Sequence, residues 1–209
     1  MRRLTMREDL FLIAHDDAGK LVIPETNLGA GLAGATLIGL LLAGKVGVGE
    51  GRLEVFDDKP SGDAEADATL DAIAANTAPC GPRAWVSWIS HGAYERIGDA
   101  MVEAGLVERT VARRLGFVPV NRTQASDPAD LVRVRSRVRY AIHGRELPDA
   151  DTAALCGLVR VLRLESTLLL SMSAADLLIG LERMTEANDI TVRQVTHAVE
   201  GVIAAALFR

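Results

Sequence analysis

Apolar positions along this chain recur mostly at helical spacing. Leu10 to Ala14 form an apolar run that ends at the polar turn His15-Asp16-Asp17 before Gly19. From Thr26 to Gly44 no residue is charged. The helical part of that stretch, Leu28 to Ala43, is apolar all round, which reads as a central core helix. Its glycines and alanines would let neighbouring helices approach closely. Lys45 to Phe56 reads as two short β runs about a Gly-rich turn. Asp63 offers an N-cap for a helix through Asn76, with Leu70, Ile73 and Ala74 on one face. Pro79, Gly81 and Pro82 break the chain, and Trp85, Trp88 and Ile89 then follow at i, i+3, i+4 spacing. Tyr94, Ile97, Met101 and Ala104 stripe a further helix, with Gly105 as its C-terminal cap. Leu106 to Glu108 and Val111 to Val118 read as a second small hairpin.

Leu131 to Ile142 fits two periods. It alternates like a strand, yet Leu131, Val134, Val138 and Ile142 also make a helical stripe behind Asp127-Pro128, and helix is the reading adopted. Leu155, Leu158, Val159 and Leu162 mark an amphipathic helix after Pro148. Ser173 with Asp176 predicts a capping box for a helix burying Leu177, Leu178, Leu181 and Met184. Thr191 with Gln194 predicts a second box, ahead of a stripe from Val195 to Leu207. The expectation is a single domain, 1–209. Its class is mainly α, about eight helices bundled around a central apolar helix (about 28–43), with two small β-hairpins (about 45–56 and 106–120).

Composition sharpens this only in places. The 209 residues are 49% hydrophobic and 24% charged, which excludes a disordered chain. Two cysteines, Cys80 and Cys156, are too few for a disulfide framework or a four-cysteine metal site. They read as two thiols in a reducing cytosol, one bridge being the alternative. The N-terminus lacks a signal-peptide pattern, so a cytoplasmic location is expected. The net charge of −5 hides an asymmetry: residues 109–145 hold nine arginines and two aspartates, a local +7 that leaves −12 for the rest.

Candidate chemistry is sparse. Gly29-Ala30-Gly31-Leu32-Ala33-Gly34 spells a dinucleotide-binding pattern, but no strand leads into it and no βαβ alternation follows. Small residues for helix packing explain it better. His15, His91, His143 and His197 are too scattered for a metal site. No glycine elbow presents a serine. No catalytic residue, metal or cofactor is expected. The basic segment is more telling. Phe117 and Val118 sit between Arg113, Arg114 and Arg122, and an apolar tip framed by arginines can enter a lipid interface while the charges hold anionic headgroups.

Several blocks in order then carry a family resemblance. They are Leu10-Phe11-Leu12-Ile13-Ala14-His15-Asp16-Asp17-Ala18-Gly19-Lys20, the core helix Gly31 to Leu40 with Gly44-Lys45-Val46, Met101 to Val107, and Phe117-Val118-Pro119-Val120 to Asp127-Pro128. Over nearly its whole length the chain resembles the Golgi phosphoprotein 3 family, in its actinobacterial branch. The resemblance implies a helical fold and peripheral membrane binding through phosphatidylinositol 4-phosphate. It also implies a projecting hairpin used for membrane contact or self-association, and adaptor work on proteins. At the positions where eukaryotic members place a tryptophan and an arginine about the start of the core helix, this chain has Pro24 and Ala33. Two further pocket arginines fall near His91 and Tyr94, and Arg96 matches a neighbouring family arginine.

The expected function is that of a non-enzymatic, peripherally membrane-associated protein. It would bind anionic or phosphoinositide headgroups through Arg96, Arg113, Arg114, Arg122, Arg133 and Arg137, with Phe117 and Val118 inserting. A protein adaptor, or a scaffold that forms homo-oligomers through the hairpin, is the first alternative. A winged-helix-like nucleic-acid binder is the second, disfavoured by the acidic remainder.

Overall fold

A computed structural model describes residues 2–75, 81–114, 118–144, 148–168 and 173–206, with backbone alone for 112–114 and 118–120. Among these residues the chain forms nine α-helices and two antiparallel hairpins. Helix α1 (Met6–Ile13) leads into α2 (Glu25–Leu42), the first hairpin (β1 Val46–Gly49, β2 Arg52–Val55), α3 (Ala64–Ala75), α4 (Pro82–Ser90) and α5 (Ala93–Glu103). The second hairpin (β3 Val107–Arg114, β4 Val118–Ala125) follows, then α6 (Pro128–Ile142), α7 (Ala150–Val161), a 3-10 turn at Glu165–Leu168, α8 (Ala174–Glu186) and α9 (Ile190–Ala206).

Helix α2 is the centre of the bundle and packs on α1, α3, α4, α5, α7 and α9. Among the described residues it is the one helix long and apolar enough to cross a bilayer, but Leu28, Leu32, Leu37 and Ile38 are fully buried inside the protein. Two of its glycines, Gly31 and Gly34, do the packing work expected of them. A Cβ on Gly31 would lie 2.5 Å from Leu162, and one on Gly34 would lie 2.4 Å from Val199 of α9.

Caps explain most boundaries. Thr5 and Glu8 close a reciprocal capping box on α1. Asp63 accepts from Ala66 N (3.0 Å), Asp127 from Ala129 N (2.9 Å) and Asp149 from Thr152 N (2.7 Å). The ambiguous stretch at 131–142 is helix, with Val134, Val138 and Ile142 buried. Its alternating arginines remain on the helix flanks.

Several expectations are corrected. Helix α9 starts earlier than its sequence suggested, because Asp189 rather than Thr191 accepts from the first turn (Thr191 N to Asp189 Oδ1, 2.8 Å). Trp88 is 59% exposed, although its spacing placed it in the apolar stripe; it leans edge-on against buried Trp85. Leu178 and Ala74 face outward as well. The second hairpin ends at Ala125, beyond the expected 120. Its first strand runs on through Arg109 and Thr110 to Arg114, because neither residue breaks a strand. Cys156 is buried, and burial pushes its thiol up to about 12, so it is inert as a nucleophile. Cys80 lies outside the described residues.

Candidate functional site

The predicted basic residues fall into two groups. Most of those whose side chains are described pair with the protein's own acids. Arg96 pairs with Glu65 (2.9 Å) and donates to the carbonyls of Ile89 (3.0 Å) and His91, so it pins the end of α4 to α3 and α5. Arg133 pairs with Asp130 (2.5 Å) and Arg137 with the buried Asp9 (2.5 Å). Arg135 pairs with Asp17 (2.6 Å), and Arg122 stands 3.9 Å from Asp16. The turn after α1, read from sequence as a simple helix stop, is therefore the counter-charge for arginines from both β4 and α6. The second group is Arg113 and Arg114, at the end of β3, where the backbone alone is described. Phe117 lies outside the described residues, and Val118 opens β4.

The same turn seats the hairpin. Thr123 N donates to Gly19 O (2.8 Å), and Gly19 has φ +74° with the Thr123 carbonyl oxygen 2.9 Å from where a Cβ would stand. Gly19→Ala is expected to cost about 1–3 kcal/mol through left-handed backbone strain and this close approach. A urea midpoint equal to that of the wild type would show that the seat tolerates a side chain.

The register places Val107 opposite Ala125 at the hairpin base and Arg114 opposite Val118 at its end. Val107 and Thr123 are buried, whereas Glu108, Arg109, Thr110 and Val111 are exposed. The outer side of β3 is thus exposed from its second residue, while β4 stays seated on the body through Thr123. At Arg109 β3 is level with Glu95 and Asp99 of α5, both of which the guanidinium pairs with. β3 therefore runs back along α5 toward that helix's N-terminus.

A cleft of about 820 Å³ opens at the N-terminal end of α5. Glu25, Thr26 and Asn27 of α2, Arg83, Ser87 and Ser90 of α4, and Tyr94 and Glu95 of α5 line one side. Val202, Ile203, Ala205 and Ala206 of α9 give an apolar wall. The link His91-Gly92 turns sharply enough for α4 and α5 to share the cleft, because Gly92 has φ +66°. Of the four positions named by the resemblance, His91 and Tyr94 line the cleft, Pro24 precedes its α2 edge, and Ala33 is buried in the core.

Tyr94 joins the cleft to the hairpin. Its ring stacks on Phe11 at 5.5 Å, and its hydroxyl lies 3.5 Å from Nε2 of buried His15 and hydrogen-bonds Thr123. Burial lowers the His15 pKa and keeps the ring neutral, so Nδ1 donates to Phe11 O (2.8 Å) and Nε2 is left to accept from Tyr94. Burial also raises the Tyr94 pKa, so the phenol keeps its proton. Among the described residues, no three His, Cys, Asp or Glu side chains gather as metal ligands would.

Sequence reading missed Glu25, Arg83 and the α9 wall. They stand far apart along the chain, and nothing in their local pattern separates them from ordinary helix residues.

A family model described as Golgi phosphoprotein 3 (GPP34) matches residues 6–205, from the start of α1 to the last turn of α9. No curated protein matches the chain.

Proposed function

The chain belongs to the Golgi phosphoprotein 3 family, and from that premise we propose that it is a non-enzymatic peripheral membrane protein. It meets anionic lipid with the end of the molecule that carries the hairpin tip. The observation that carries this reading is the arm itself: Glu108 to Val111 of β3 are exposed, and the register places Arg113 and Arg114 opposite Pro119 and Val118 at its far end. Each basic residue near an anionic surface contributes ~1 kcal/mol, and the apolar residues between them enter the interface. Arg122, lower on the arm, adds to the same field. Arg96, Arg133 and Arg137 serve mainly as internal counter-charges in this reading, since each has an acidic partner.

Flotation with neutral and anionic vesicles at low and high salt tests it. Wild-type protein is expected to float only with anionic vesicles and to detach as salt screens the charges. The double charge reversal Arg113→Glu/Arg114→Glu is expected to weaken binding by about 30-fold or more, the equivalent of two lost basic contacts. Equal binding to neutral vesicles, or no change on reversal, would overturn the proposal.

A second reading, a scaffold that self-associates, is favoured by one feature. The arm is two-stranded, has no third strand paired to it among the described residues, and exposes Val111 by 66%. Light scattering across a concentration series separates the two, because a strict monomer that still floats leaves only the membrane role.

A further inference from the structure

The second hairpin is held to the body more by polar contacts than by apolar burial. Among its described side chains only Val107 and Thr123 are buried. The Thr123 amide and the Gln124 side chain (Nε2 to Asp17 O, 3.3 Å) bind the turn after α1. Two arginines then tie the arm down. Arg109 on β3 pairs with Glu95 (3.4 Å) and Asp99 of α5, and Arg122 on β4 stands 3.9 Å from Asp16. The seat of Arg109 is shaped for it, because its guanidinium lies over Gly98, where a Cβ would collide with it. All three carboxylates keep contact with solvent, so each pair is weak and is screened by salt. They also outnumber the two guanidinium groups they hold. An anionic surface that approaches the base of the arm therefore meets net negative charge, while the two arginines that would attract it are occupied.

We propose that Asp16, Glu95 and Asp99 form an autoinhibitory latch, which keeps the arm seated and holds Arg109 and Arg122 back from an external anionic surface. Opening the latch adds these two arginines to Arg113 and Arg114. That the surface is anionic lipid rests on the membrane reading above. Three variants of the full-length protein test the latch. Asp16→Asn/Glu95→Gln/Asp99→Asn opens it, and keeps the Asp16 oxygen that accepts from Ala18 N (2.9 Å) and Lys20 N (2.8 Å). Asp58→Asn/Asp71→Asn/Glu186→Gln removes the same charge from exposed acids after β2, on α3 and on α8. Gly98→Ala displaces the Arg109 guanidinium with no change of charge. Each is floated with phosphatidylcholine vesicles, with and without phosphatidylglycerol, and amide exchange is followed over residues 107–111 and 121–125. Each freed arginine adds about fivefold to the affinity for anionic vesicles. The open-latch variant is therefore expected to bind them about 20-fold tighter than the charge-matched control, and Gly98→Ala about fivefold tighter than wild type. Both are expected to exchange the arm's amides severalfold faster.

Arm amides that exchange at the wild-type rate in both released variants would overturn the latch, whatever the vesicles show. So would an open-latch variant that floats no better than the charge-matched control when wild type floats, and the hairpin reading would then stand alone. If no protein floats with anionic vesicles, the membrane reading fails, and faster exchange still upholds the latch.

Discussion

Arg137→Gln is expected to lose about 3–5 kcal/mol of stability at pH 8 and far less at pH 5. Arg137 reaches from α6 to Asp9 on α1, whose side chain is only 6% exposed. Removing one partner of a buried pair leaves the other charge uncompensated, which is the costly case. In the wild type, burial pushes the Asp9 carboxyl from 3.8 up to about 6, against the pull of Arg137 at 2.5 Å. Desolvation thus outweighs the ion pair. The folded state then binds the proton more tightly than the unfolded chain between about pH 4 and pH 6. This contribution to stability is greatest below that window and falls as pH rises through it, by roughly 3 kcal/mol in all.

Loss of Arg137 drives the Asp9 pKa higher still, so the penalty extends above pH 6. Below pH 5 the carboxyl is mostly neutral in either protein, and the new amide can hydrogen-bond to it. Urea midpoints at pH 5 and pH 8 measure the difference. The same loss at both pH values would mean that Arg137 acts through packing alone. Asp9→Asn is the companion variant, and it should flatten the pH slope between pH 4 and 6.

Gly34→Leu is expected to cost about 2 kcal/mol, with Gly39→Ala on the same helix gaining about 1 kcal/mol. Leucine is the better helix former by nearly 1 kcal/mol, so propensity alone predicts a gain at both sites. Packing reverses the sign at Gly34, where a Cβ would already meet Val199 at 2.4 Å and Leu158 at 3.4 Å. Overpacking a close-packed core typically costs 1–3 kcal/mol and forces neighbours off their rotamers. Gly39 has nothing within 4 Å of its Cβ position, so only the entropy of the unfolded chain changes there. Thermal melts of the two variants test this directly. A Gly34→Leu protein as stable as wild type would show that α9 can shift away from α2 at little cost.

The two variants also separate what is local from what is not. The sequence said that the glycines of the core helix serve close packing, and Gly31 and Gly34 do so. It could not say that Gly39 does not, since the same residue in the same helix differs only in what lies opposite. Trp85 and Trp88 teach the same lesson. Both fit the apolar stripe, and only the placement of the neighbouring elements leaves Trp88 in solvent. The arginines of α6 are the clearest case. Their run of like charge read as a basic surface, but Asp9 and Asp17, more than a hundred residues earlier, take up Arg137 and Arg135.

By itself the sequence determined the mainly helical class, the central helix, most caps, both hairpins and the family. Those follow from period, propensity and short-range hydrogen bonding, which act within a few residues. Tertiary structure alone decided which arginines are neutralised, that β3 lies beside α5 at Arg109, and that α2, α4, α5 and α9 close a cleft. Each of these depends on the distance between groups remote in the chain. Charge pairing and desolvation are set by that distance, and no local pattern carries it.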